Sequence, residues 1–478
     1  MHQPNPEELA ALDELRDWAR HRLTDRDGPW VSHPTTSAGL PQSGTEPAVH
    51  SLPAISPAGV GLTQAWHTLR DVLLPSTVPT DHPRYLAFVA GAPSVAAAIA
   101  DMALSIGSVY AGSELEAGLV VRAEAEAIQW LAALAGLPPG ARGAFVSGGS
   151  AANLSALVAA RAARAERAAR AARDSGAPAA PHSTAWPHPG IVLASANSHS
   201  SVAAAVEIMG CELRIVGEVD RPMLAADLAH ALREVDPADV IAVAAIAGAT
   251  NTGQIDDLDR IATLCARHGL WLHVDAAYGG AALLDKRVTD DFLGLERADS
   301  LVINPHKWLF TPYESSALLY RNPDQARRTH AQRSHYLDAV SDGDNPADYA
   351  FQLSRRARGL PLWLSLVANG TDAYRTAVER CVDLALESAA LIRADEQLTL
   401  LSCELSVVVF ERVGWSRLDY AHWSVSALHS GLGLVTPTTY RGRPALRFCF
   451  VNPQTAVSDV RALLASLGGA LPPGVSQT

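Results

Sequence analysis

Lysine is almost absent from this 478-residue chain: Lys286 and Lys307 are the only two, so 36 of the 38 basic residues are arginine. A retained lysine points to chemistry that arginine cannot do, because only a primary amine readily loses its proton on desolvation and attacks an aldehyde. Lys307 stands in Asn304-Pro305-His306-Lys307-Trp308, directly after the apolar run Ser300-Leu301-Val302-Ile303 that reads as a buried strand. A bias toward arginine codons would also thin out lysines, so scarcity alone does not assign the role.

Four more groups recur in the same setting. Asp275 closes Leu270-Trp271-Leu272-His273-Val274 and precedes Ala276-Ala277-Tyr278-Gly279-Gly280. A carboxylate there needs a partner; helix caps and structural ion pairs meet that need as well as a site does. Ser147-Gly148-Gly149-Ser150-Ala151-Ala152-Asn153 joins a strand to a long helix. Its exposed N–H groups at the positive helix end make an anion cradle, or else an ordinary N-cap. His199, in Asn197-Ser198-His199-Ser200-Ser201, and Thr250, in Ala249-Thr250-Asn251-Thr252-Gly253, follow two further apolar runs.

Such groups meet only if the elements before them share one sheet edge. From about residue 143 strand and helix alternate: strands over 143–147, 191–196, 213–216, 240–246 and 270–275, helices over 150–173, 199–208, 224–235 and 257–268. This alternation predicts an α/β fold with a mainly parallel sheet and helices on both faces, whose ligands bind at the carboxyl ends of the strands. Helices are expected at 94–109 and 117–136. Beyond 350, a long helix (359–393), strands at 407–410 and 446–451, and helices at 418–430 and 455–466 predict a smaller α+β domain. The expected division is an N-terminal helical segment over 1–93, a large domain over 94–358 and a C-terminal domain over 359–478. The helix over 6–24 carries an apolar stripe and precedes a Pro/Ser/Thr/Gly-rich stretch, so it is expected to dock away from its neighbours, on a second copy of the chain.

Composition narrows the class. With 48% apolar residues the chain is a globular protein of several cores, and a net charge of −12 argues against nucleic acid as a partner. Arg161, Arg164, Arg167, Arg170 and Arg173 do not change this, since a step of three falls about 60° short of a helical turn and winds the arginines around a solvated helix. No apolar stretch approaches the roughly 20 residues needed to span a bilayer, and no leader opens the chain; the expectation is a cytoplasmic protein without membrane contact. Five scattered cysteines with no CxxC pair imply neither disulfides nor a metal site.

Lysine, carboxylate, anion cradle, flat ring and small hydroxyl together suit one cofactor, pyridoxal 5'-phosphate. In these motifs the chain resembles the pyridoxal-phosphate-dependent group II amino-acid decarboxylases, which include the aromatic amino-acid and glutamate decarboxylases. The resemblance runs from about His82-Pro83 to Arg447-Phe448. It implies the fold-type I architecture of these enzymes and a homodimer with shared active sites. It implies that Lys307 bonds to the cofactor aldehyde, Asp275 pairs with the ring nitrogen, and His199 and Ala277 cover the two ring faces. Gly148, Gly149, Ser150, Ser300 and His306 would serve the phosphate, with Thr250 close by.

The polar stretch 322–349 reads as a mobile catalytic loop, and by resemblance its Tyr336 returns a proton to Cα after CO2 departs. Relatives that form aldehydes oxidatively tend to carry phenylalanine there, so Tyr336 with His199 favours decarboxylation to an amine. The substrate pocket is expected at Phe88 and Val89, and at Tyr110 and Gly112 of a partner subunit. Without lysine or arginine in those stretches, an apolar or aromatic L-amino acid fits better than an acidic one. Arg355 and Arg356 resemble a family arginine cluster and receive no role. The alternatives are an aldehyde synthase or another carbon–carbon lyase and, from a different class, a catalytically silent relative that only binds.

Overall fold

Short apolar runs without polar alternation are what a parallel sheet covered on both faces requires. The computed structural model describes residues 5–26, 52–174, 190–332 and 343–468, and among them such runs form a seven-stranded sheet. Its strands are Arg142–Val146 (β1), Ile191–Ser195 (β2), Glu212–Val216 (β3), Val240–Ile246 (β4), Trp271–Asp275 (β5), Ser300–Ile303 (β6) and Ser316–Tyr320 (β7). The order is β1-β7-β6-β5-β4-β2-β3. Neighbours from β6 through β3 are parallel, and only β7 runs against both its neighbours. Six strands therefore end on one edge, at Val146, Ser195, Val216, Ile246, Asp275 and Ile303.

A second, antiparallel sheet holds Leu398–Glu404 (β8), Val407–Arg412 (β9), Pro437–Tyr440 (β10) and Arg443–Cys449 (β11), ordered β10-β11-β9-β8. The helix Leu360–Arg393, kinked at Gly370, packs on β8 and on the helix Val95–Gly107. One apolar core runs from the first sheet through this helix into the second. On the other face the helix Gly149–Asp174 lays Ala152, Ala156, Leu157 and Ala160 on Val192, Ala242 and Val302, where small side chains let helix and sheet approach closely.

Three expectations change. The strand β7 was not foreseen, because Ser-Ala-Leu-Leu-Tyr has no alternation and no helix leads into it. The helix Pro6–Thr24 does pack on the next described element, Leu62–Thr68: Trp18 meets Trp66 edge-to-face at 6.0 Å, and Glu14 accepts from Trp66 Nε1 at 3.1 Å. The arginine-rich helix is not solvated throughout, since Arg161 donates to the Met209 carbonyl at 3.0 Å and Arg164 pairs with Asp239 at 3.1 Å. Arg170, paired with Glu166, remains exposed.

Arg355 also gains a place. It pairs with Glu124 at 2.7 Å, both side chains only 3% exposed, and donates to the carbonyls of Ala111 and Phe145. Glu124 in turn accepts from the Gly359 N–H at 2.6 Å. One buried ion pair thus ties the 110–113 stretch to β1 and to the head of the long helix. Glu124→Gln leaves a buried guanidinium uncompensated and is expected to lower unfolding free energy by about 3–5 kcal/mol in urea titration; a loss below about 1 kcal/mol would contradict the structural role.

Candidate active site

Lys307 lies in the single-turn helix Pro305–Trp308, which starts right after β6 with proline in its first turn, where the missing N–H costs nothing. Trp308 anchors that turn, fully buried and stacked on Tyr278 at 5.2 Å with 9° between the planes. On the other side runs Gly91, where a Cβ would stand 1.6 Å from the Lys307 carbonyl oxygen. Only glycine passes there. The Lys307 amine makes no hydrogen bond or ion pair among the described residues, and burial lowers its pKa from the ordinary 10.5, with the charge of Asp275 opposing the shift.

Asp275, the last residue of β5, accepts from the Ala277 N–H at 3.0 Å and from Asn153 Nδ2 at 2.9 Å. Asn153 also donates to Ser201 Oγ at 2.9 Å and contacts His273 Nε2 through Oδ1 at 3.0 Å. His273 Nδ1 lies 2.8 Å from Ser300 Oγ, which also receives the indole N–H of Trp271 at 2.8 Å. Ser300 therefore departs from expectation. It opens β6, opposite His273 in the register, and its hydroxyl is taken up beneath Asp275 and not at the anion cradle.

The cradle stands at the head of the helix Gly149–Asp174. The bond from the Ala152 N–H to the Gly148 carbonyl, 3.1 Å, is the first of the helix, so the N–H groups of Gly149, Ser150 and Ala151 have no intrahelical acceptor. Asn304 closes the cradle from β6: a Cβ on Gly149 would meet its Nδ2 at 3.1 Å, while Oδ1 accepts from Ser316 at 2.6 Å. His306 is buried, and desolvation pushes its pKa down to about 4. Its Nδ1 accepts from the Ser315 N–H at 3.1 Å, which leaves the ring proton on Nε2. His199 caps the helix Ser200–Ile208 with an exposed ring whose Nδ1 contacts Ser201. Thr250 sits in the turn after β4, which Asn251 ties to β10 through Thr438 and the Thr439 carbonyl. Ala277 is buried beside Asp275.

Of the expected pocket residues, Phe88 is 59% exposed and Val89 is part of the core. Tyr110 donates to the Leu353 carbonyl at 3.2 Å and folds onto Gly112, where a Cβ would meet its hydroxyl at 2.1 Å. Tyr336 lies outside the described residues. Sequence reasoning missed Asn153, Gly91, Asn304 and Arg447. Arg447, on β11, is buried, donates Nη1 to the Phe88 carbonyl at 2.9 Å and lies beside the Cys449 thiol, while Nε and Nη2 have no nitrogen or oxygen acceptor among the described residues. Its charge is felt at Lys307, so the site does contain a cation besides the lysine. A charged residue inside the apolar run Ala445-Leu446-Arg447-Phe448-Cys449 was the available signal.

The donor set fits pyridoxal phosphate on these observations: an amine whose pKa burial lowers, a carboxylate within its electrostatic reach, and N–H groups without an intrahelical acceptor at a long helix's head. Burial disfavours the ammonium, so neutral amine forms at lower pH than in a free lysine. In competitive acetylation of the cofactor-free protein, Lys307 is expected to reach half-maximal labelling below pH 10.5; a midpoint at or above that value would contradict the desolvated site.

Comparison with known proteins agrees with this geometry. Residues 60–413 match the pyridoxal-dependent decarboxylase conserved domain. The chain is 28% identical over 405 residues to an aromatic-L-amino-acid decarboxylase of Bacillus atrophaeus, covering 81% of each protein. It is 28% identical over 447 residues to an L-2,4-diaminobutyrate decarboxylase of Rhizobium meliloti, covering 90% of this chain and 86% of that one. The crystal structure of Oryza sativa TDC with PLP and tryptamine shares the fold, with a TM-score of 0.83, 23% identity, and coverage of 98% of this chain and 99% of that one. The chain therefore belongs to the pyridoxal-dependent decarboxylase family, enzymes that remove the carboxylate of amino acids with pyridoxal phosphate as cofactor.

Proposed function

We propose that this protein decarboxylates an apolar or aromatic L-amino acid to its amine and CO2. The observation that carries the reading is the half-buried Lys307, whose amine makes no hydrogen bond among the described residues and lies within electrostatic reach of Asp275. When bound, pyridoxal phosphate supplies an aldehyde that takes up the substrate amine and a protonated ring that accepts the electron pair left as CO2 departs. Lys307 holds the cofactor by its aldehyde, and Asp275 keeps the proton on the ring nitrogen. The N–H groups of Gly149 and Ser150, the turn at Gly148 and the Nε2–H of His306 receive the phosphate. His199 and Ala277 enclose the flat ring, and Thr250 stands nearby. With the cofactor held by these residues, the side chains around it would fix the orientation of the substrate's Cα–carboxylate bond. Tyr336 then delivers a proton to Cα. Ser300 acts from below, through His273.

Arg447 supports a second reading of substrate class. Two guanidinium nitrogens without an oxygen or nitrogen acceptor among the described residues, in a buried site, invite a carboxylate, so an acidic side chain would find a partner that the 88–91 and 110–113 stretches do not offer. We further propose a division into an N-terminal segment over 1–93, a large domain over 94–358 and a C-terminal domain over 359–478. The stripe Val95, Ile99, Met102 and Ile106, exposed on one face of its helix just before Tyr110, supports the reading of a homodimer with shared sites. Five free cysteines suit the cytoplasm, and no described helix is long and apolar enough to cross a membrane.

The test is incubation of the full-length protein and pyridoxal phosphate with single L-amino acids, including tryptophan, tyrosine, phenylalanine, leucine, glutamate and cysteine sulfinate. Equal amounts of CO2 and amine are expected from an apolar or aromatic substrate. Preference for glutamate or cysteine sulfinate would overturn the substrate class, and peroxide with aldehyde would overturn the reaction type. Tyr336→Phe is expected to slow amine formation by about 10²-fold or more and pass substrate toward aldehyde; an unchanged product and rate would remove Tyr336 from the mechanism.

A further inference from the structure

We propose that Asp220 is a positioning residue that fastens three pieces of the cofactor site together: the loop behind His199, the turn that carries Thr250, and the β10–β11 hairpin of the second sheet. Its effect on cofactor binding rests on the pyridoxal-phosphate reading; the fastening is a property of the chain alone.

Asp220 lies in the loop after β3, whose carboxyl end belongs to the edge where the other site residues collect. It is 3% exposed and has a φ of 60°, a left-handed backbone that is costly for a residue with a Cβ. A buried carboxylate ordinarily has a cation beside it, yet Asp220 makes no ion pair among the described residues. Two neutral donors meet its oxygens instead: Oδ1 accepts from Asn251 Nδ2 at 3.0 Å and Oδ2 from the Arg441 N–H at 2.7 Å. An aspartate that merely shapes its own turn bonds to a backbone group a few residues along. These donors stand 31 and 221 positions away.

Each contact leads to a different part of the site. The Asp220 N–H donates to Asn197 Oδ1 at 2.7 Å, and Asn197 Nδ2 donates to the Arg221 carbonyl, so the loop grips the asparagine two residues before His199. Asn251 follows Thr250 directly, and it holds β10 by donating to the Thr439 carbonyl at 3.0 Å and accepting from the Thr438 hydroxyl at 2.6 Å. Arg441 forms the tip of the β10–β11 hairpin with Gly442. Asp256 binds the same loop through the Met223 N–H, but its other donors, the Ile246 N–H and the Ser195 hydroxyl, belong to the first sheet. Asp220 carries the connection across to the second. With loop, turn and hairpin pinned to one carboxylate, the segments that bear His199 and Thr250 are ordered before a ligand arrives. Without it, binding must order them, which weakens affinity.

The test uses the full-length protein. In its cofactor-free form, hydrogen exchange resolved to the Arg441 amide by fragmentation mass spectrometry is expected to be at least about tenfold faster in Asp220→Ala than in the wild type; equal rates overturn the fastening. Pyridoxal phosphate affinity, measured by fluorescence quenching, is expected to fall about fivefold or more in Asp220→Ala and in Asn251→Ala. Asn251 keeps its bonds to β10 when Asp220 is lost, but the two residues share one bond, so the double variant should lose at least about threefold less than the product of the single losses. Independent local damage would multiply, so a loss equal to that product overturns the proposal, as does wild-type affinity in Asp220→Ala. If Asp220→Ala does not fold, Asp220→Asn keeps the shape and sets an N–H against one of the two donors: binding at least about threefold weaker supports the proposal, and wild-type affinity overturns it. A protein whose Arg441 amide is released by Asp220→Ala but whose wild type binds no pyridoxal phosphate refutes the cofactor reading and leaves the fastening standing.

Discussion

The site depends on burying a carboxylate and an amine near each other without letting them neutralise one another in a tight ion pair. Asp275 is held by the Ala277 N–H and the Asn153 amide, so both its oxygens are engaged before any ligand arrives. Lys307 has no such hydrogen bonds among the described residues, and the charge of Asp275 opposes its loss of hydration without reversing the downward shift. A salt bridge of ideal geometry would have kept the lysine protonated and the aspartate occupied. Dividing the hydrogen bonds unevenly leaves the carboxylate anchored and the amine open to a ligand.

The fold supplies that division through strand ends and close backbone approaches. Parallel strands bring Asp275, the Thr250 turn, His199 and the Lys307 turn to one edge, although the residues are spread over more than a hundred positions. Glycines set the spacing at two contacts. At Gly91 any side chain would collide with the Lys307 carbonyl, and at Gly248, with φ of 100°, a Cβ would lie 2.7 Å from Gly279 Cα. The second contact lets the turns after β4 and β5 pack directly on each other, so neither loop is free to lift Asp275 from its donors.

Much of this was legible in the sequence, because polar residues at the ends of apolar runs mark strand ends, and strand ends on a parallel sheet converge. Lys307, Asp275, His199 and the Gly148–Gly149 turn could be read that way. Asn153 could not, since its partner Asp275 is 122 residues away and the asparagine reads as one more polar position in an alanine-rich helix. Ser300 was misplaced for a related reason: its rank in the motif is visible, but the depth of β6 at which it faces His273 comes from strand register. Arg447 sits on the second sheet, so its approach to Lys307 depends on how the two sheets pack.

The central claim is that Lys307 alone carries the reactive amine, and the scarcity of lysine makes it directly measurable. The holoenzyme, reduced with borohydride and digested, should yield one pyridoxyl-modified peptide, and mass spectrometry should place the modification on Lys307 at near-stoichiometric yield. Modification of Lys286, an equal division between the two lysines, or no stable adduct in a protein that has bound pyridoxal phosphate would contradict the account.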